Sequence, residues 1–116
     1  DDVLCGWLAV HRAARVATPA IDAAVTARLH RTTRLSAALL DCALHGGVVR
    51  QFAAYVAALG GPDASARTAD LLAVGHSSGA GLLAGARWAL AELTRTAVRS
   101  QTRPPTRTLE PTGVPV

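Results

Sequence analysis

The stretch Gly75-His76-Ser77-Ser78-Gly79 brings an imidazole and two hydroxyls between two glycines, just ahead of the apolar run Ala80 to Ala86. It suits two chemistries. One is a nucleophilic serine on a sharp strand-to-helix turn, served by distant acid and histidine partners. The other is an anion cradle, in which free N–H groups at a helix N-terminus hold a phosphate or carboxylate. In the cradle, Gly75 and Gly79 let the backbone approach the ligand. Ser77 and Ser78 add hydroxyls, and His76 adds an imidazole able to serve as acid or base.

The spacing Gly-x-Ser-x-Gly matches the nucleophile elbow of α/β-hydrolases, but its surroundings do not. An elbow serine follows a core strand, whereas Asp63 to Val74 is alanine-rich and carries Ser65, Arg67, Thr68 and Asp70 at helical intervals. The chain order there is serine, acid, histidine. No histidine follows His76, and the later acids are Glu92 and Glu110. The cradle is therefore the favoured reading, with His76 as the acid–base group.

Other polar residues have two readings each. Asp1 and Asp2 are candidate site carboxylates, suited even to a hard cation such as Mg²⁺. They equally suit a helix start, where negative charge is favoured. Thr32, Thr33 and Ser36 can offer hydroxyls to an anionic substrate or cap a helix. Arg12, Arg15, Arg28 and Arg31 read as solvated faces, any one of which is able to clamp an anion. His11, His30 and His45 lack metal-ligand spacing and read as surface or interface residues. Cys5 and Cys42 also lack it, and read as buried free thiols. No metal or cofactor is called for.

The elements that must position these groups are helical. Alanine is abundant, and apolar residues recur three and four apart. A first helix starts at the Asp pair and shows Leu4, Trp7, Leu8 and His11 on one face. A second starts at Pro19 behind Thr18, with Ile21, Val25 and Leu29 as its stripe. A third, capped by Thr32 or Thr33, presents Leu35, Leu39, Cys42 and Ala43 and stops at Gly46-Gly47. Val48, Phe52, Tyr55 and Leu59 mark a fourth, ended by Gly60-Gly61-Pro62. A fifth runs from about Ala64 to Val74 behind Asp63. After the 75–79 turn, Ser77 or Ser78 caps a last helix through about Thr96. Gly6 and Gly85, inside helices, suit a close helix crossing. The expected fold is an all-α compact bundle of five to six short helices over residues 1–96. Residues 97–116 form a disordered basic tail.

The chain has 116 residues and a net charge of +4. Residues 1 to 94 hold eight arginines and seven acids, so this part is close to neutral. The remainder holds four arginines against Glu110. Aromatics are confined to Trp7, Phe52, Tyr55 and Trp88, too few for base-stacking platforms. Nucleic acid is therefore not an expected partner. No apolar run spans a bilayer, since Leu71 to Ala91 is broken by His76, Ser77, Ser78 and Arg87. A soluble cytoplasmic protein is expected. The start at Asp1-Asp2 and the lack of methionine imply a fragment, a processed product or a trimmed chain.

Three blocks together resemble a known family. Asp1-Asp2-Val3-Leu4-Cys5-Gly6 is similar to the end of a GLTPSGDD-x-x-x-G signature. Thr32-Thr33-x-x-Ser36-x-x-Leu39-Leu40 and Val74-Gly75-His76-Ser77-Ser78-Gly79-x-x-Leu82-Leu83-Ala84-Gly85 resemble two further blocks. Their order is similar to the C-terminal half of a bacterial family that includes the AllH subunit of oxamate carbamoyltransferase, over roughly residues 1 to 94. The resemblance implies carbamoyl transfer between oxalurate and phosphate, giving oxamate and carbamoyl phosphate. The Gly-Leu-Thr-Pro-Ser-Gly half of the first block is missing here. The expected ligand is a small anionic substrate, with His76 and Asp2 as catalytic candidates. Gly75, Ser77, Ser78, Gly79, Thr32 and Thr33 are the binding candidates. The alternative is a helical interaction module without chemistry, docking into a protein partner or a second copy through its glycine-lined last helix.

Overall fold

A computed structural model describes residues 1–104. They form six α-helices and one 3-10 turn, with no strand among the described residues. The helices are α1 (Asp2–Ala13), α2 (Pro19–Arg28), α3 (Arg34–Leu44), α4 (Arg50–Ala57), α5 (Ala64–Leu72) and α6 (Ser78–Thr102). The 3-10 turn Leu29–Arg31 joins α2 to α3. The all-α expectation holds, and the helix starts follow the expected punctuation. Pro19 opens α2, and Thr33 Oγ1 accepts from Ser36 N–H at 3.1 Å to cap α3.

Helix α1 is central. One face joins α4, α5 and α6 in a core of Ala9, Val10, Phe52, Tyr55, Leu71, Leu83, Ala86 and Ala89. The other joins α2 and α3 through Cys5, Leu8, Val25, Leu40 and Ala43. Its main partner is α6. Glycine permits this pairing: a Cβ at Gly6 would collide with the Leu82 carbonyl, and one at Gly85 with the Val3 carbonyl. The close crossing expected at these two residues is what the fold contains.

Polar groups fasten the same helix at its other end. Arg12 Nε donates to the Leu44 carbonyl at 3.0 Å, and Nη2 donates to Thr18 Oγ1 and to Asp22. One half-buried guanidinium thus ties α1 to the start of α2 and the end of α3. This corrects the reading of Arg12 as part of a solvated face. Of the surface and interface readings offered for His11, the surface one fails: it is buried where α1 meets α6. Its Nδ1 donates to the Trp7 carbonyl at 2.9 Å, which turns Nε2 toward Glu92 at 3.9 Å. The Trp7 indole donates to the same carboxylate at 3.2 Å.

Two expectations about helices fail. The stripe of α3 is rotated: Leu40 and Ala43 are buried, whereas Leu35 is 72% exposed and Leu39 and Cys42 also face outward. The last helix is not short. It runs 25 residues, to Thr102, past the expected end near Thr96. Thr94, Thr96, Ser100 and Thr102 lower helix propensity there, but each hydroxyl bonds a carbonyl four residues back and the helix continues. Residues 97–102 of the expected tail are therefore helical, and 105–116 lie outside the described residues. Among the described residues no helix is long and apolar enough to cross a membrane.

Candidate functional site

The 75–79 segment is the turn between α5 and α6. Gly75 has φ +61°, a left-handed backbone that side chains rarely adopt, and this reverses the chain after Val74. Ser77 stands at the N-cap position of α6, but its side chain makes no capping bond. Among the described residues, the N–H groups of His76, Ser77 and Ser78 donate to no backbone carbonyl. They stand at the positive end of a long helix, as anion binding requires. Gly79 differs. It is buried, its N–H donates to the Val74 carbonyl at 3.0 Å, and a Cβ there would strike the Leu71 carbonyl. Its part is to let α6 lie against α5.

This turn forms one wall of a pocket of about 430 Å³. Gly75, Ser78 and Val74 line it from the turn, Asp2 and Cys5 from α1, Leu39 and Cys42 from α3, and Phe52 from α4. So the fold brings Asp2 onto one pocket with Gly75 and Ser78, which lie far from it along the chain. Asp2 Cβ lies 2.7 Å from where a Cβ on Gly81 would stand, so Asp2 rests on the first turn of α6. The lining is mostly apolar, and Asp2 is its one charged residue. His76 and Ser77 are exposed and sit outside the lining.

The threonines do not join them. Thr33 caps α3. Thr32 Oγ1 donates to Asp1, and both line a different pocket with Arg28 and Arg31. The capping reading thus describes Thr33, while the meeting of Asp1 with Thr32, 31 positions apart, has no local signal.

The two thiols flank the first pocket in unlike settings. Cys5 is buried, and desolvation with the nearby Asp2 charge pushes its pKa up from 9.0 to about 11. Cys42 is free and exposed, which corrects the expectation that both thiols are buried. Among the described residues no group of three or more His, Cys, Asp or Glu side chains is placed to hold a metal ion.

No curated protein and no solved structure matches the chain. A family model does, over residues 1–90, a span that holds α1 to α5, the 75–79 turn and the first half of α6. That family is described as oxamate carbamoyltransferase subunit AllH, and this chain belongs to it.

Proposed function

We propose that the chain is a carbamoyltransferase-type subunit whose 75–78 turn and Asp2 together bind a small carbamoyl-bearing anion. The observation that carries this reading is the convergence of Asp2, Gly75 and Ser78 on one pocket. Oxalurate, oxamate and carbamoyl phosphate share a chemical outline: an anionic end and an amide N–H end. The free N–H groups of the turn suit the anionic end. The Asp2 carboxylate suits the amide end, since an ionised carboxylate accepts hydrogen bonds only. In transfer, a phosphate oxygen bonds to the carbamoyl carbon of oxalurate and the bond to the oxamate nitrogen breaks, that nitrogen taking a proton. His76, on the outer side of the turn, is the proposed proton carrier, with Ser77 beside it.

Titration of the ¹⁵N-labelled chain with carbamoyl phosphate, phosphate and oxamate tests this. Amides from Gly75 to Ala80 are expected to shift at millimolar ligand, and Asp2→Asn is expected to weaken carbamoyl phosphate more than phosphate. Silence of these amides would sink the reading.

A second reading, a non-catalytic interaction module, is favoured by the exposed Leu35, Leu39 and Val48 on and beside the pocket wall. It expects Leu39→Glu to disrupt an assembly seen by light scattering while the turn amides stay silent to all three ligands.

A further inference from the structure

The second pocket, about 550 Å³, opens between α1, α2, the 3-10 turn and α3. Leu4, Ile21, Val25 and Leu40 supply an apolar floor and side walls, while Arg28 and Arg31 stand at the rim beside Thr32 and Asp1. Arg28 ends α2 and Arg31 ends the 3-10 turn. In that tight winding, side chains three apart come to one side. Both arginines are exposed, and among the described residues neither pairs with a carboxylate. Among the described residues, the sole hydrogen bond of either guanidinium is a long one from Arg28 to the Ala24 carbonyl at 3.5 Å.

We infer that this pocket binds a small amphipathic monocarboxylate, its acid held by Arg28 and Arg31 and its aliphatic part on Leu4, Val25 and Leu40. The volume falls in the range of small-molecule sites, where an apolar lining is combined with a few polar groups. A carboxylate fits the guanidinium fork through paired N–H···O bonds, and the apolar floor favours a ligand with an aliphatic body, which inorganic phosphate lacks. The positive groups at the rim, Arg28 and Arg31, outnumber its one acid, Asp1, so the pocket favours an anion. Asp1 already holds the Thr32 hydroxyl and would repel a second carboxylate. This site is separate from the 75–78 turn and does not rest on the proposed carbamoyl chemistry.

Hexanoate is a suitable probe, with acetate, 1-hexanol and inorganic phosphate as controls. In a methyl- and amide-labelled full chain, hexanoate is expected to shift the Val25 and Leu40 methyls, and acetate to bind about tenfold more weakly for want of the aliphatic contact. The double variant Arg28→Gln/Arg31→Gln is expected to lose about tenfold in hexanoate affinity, the worth of one charge-assisted bond. Both residues are exposed, so its amide spectrum should remain that of the folded chain. If that variant unfolds, raising salt on the wild type replaces it: hexanoate binding should weaken while hexanol binding does not. Still methyls, equal binding of acetate and hexanoate, or salt-independent hexanoate binding would overturn the inference. So would phosphate moving the same methyls as strongly, since the site would then be a general anion patch.

Discussion

Asp1 and Asp2 are neighbours in the chain and line different pockets. Asp2 faces the 75–78 turn and rests on the first turn of α6, whereas Asp1 accepts the Thr32 hydroxyl beside Arg28 and Arg31. The single-charge variants should therefore act apart. Asp1→Asn is expected to raise hexanoate affinity about threefold, as loss of one exposed repulsive charge allows, and to leave carbamoyl phosphate binding unchanged. Asp2→Asn is expected to do the reverse, weakening carbamoyl phosphate only. Parallel titrations of the two ligands check this.

Substituting Gly85 should show what the α1–α6 crossing is worth. A Cβ there meets the Val3 carbonyl and comes within 2.9 Å of the Trp7 amide nitrogen, which are backbone atoms that cannot swing aside. Gly85→Ala is expected to cost about 3 kcal/mol or more, against a gain of about 1 kcal/mol from helix propensity. Ala84→Gly, on the exposed side of the same helix, should cost about 1 kcal/mol. Urea denaturation of the three proteins measures the difference.

The thiols should separate by reactivity and by pH. Exposed Cys42 is expected to react with iodoacetamide in the native protein, and Cys5 only on unfolding. The folded state holds the Cys5 proton up to about pH 11, while the unfolded chain releases it near 9.0. The stabilising contribution is thus complete below pH 9.0 and lost as pH rises through about 11. Denaturation midpoints should fall over that window, and Cys5→Ala should flatten the fall while Cys42→Ala does not.

Ser77 is expected to be inert to a fluorophosphonate probe. It lies on an exposed turn between two α-helices, with no sheet among the described residues and no histidine later in the chain to act as its base. Mass spectrometry after labelling decides the point. Stoichiometric modification of Ser77 would contradict the turn geometry as well as the anion-cradle reading.

Much of the fold was legible because it is punctuated. Pro19, Thr33, Gly46-Gly47 and Gly60-Gly61-Pro62 set helix ends by local sterics and hydrogen bonding, which need no tertiary knowledge. What depends on tertiary packing was not legible. Helix α3 carries apolar residues on two sides, and only the seat offered by α1 and α2 decides that Leu40 goes inward and Leu39 outward. His11 and Arg12 looked like surface residues because their partners, Glu92 and Leu44, lie far along the chain. The turn itself could be picked out from Gly75 and the serines, but its meeting with Asp2 is a product of the helix crossing. Arg28 and Arg31 were visible as residues and not as one rim, since their alignment depends on the 3-10 turn.

The crossing of α1 with α6 also governs the order in which the chain can fold. Trp7 and Glu92, bonded across it, are 85 positions apart. Closing so large a loop costs entropy before any contact rewards it, and topologies rich in such contacts fold more slowly. The neighbouring pairs α4–α5 and α5–α6 close over short loops and can form early. Both pockets are walled by α1, so neither is complete until α1 has docked.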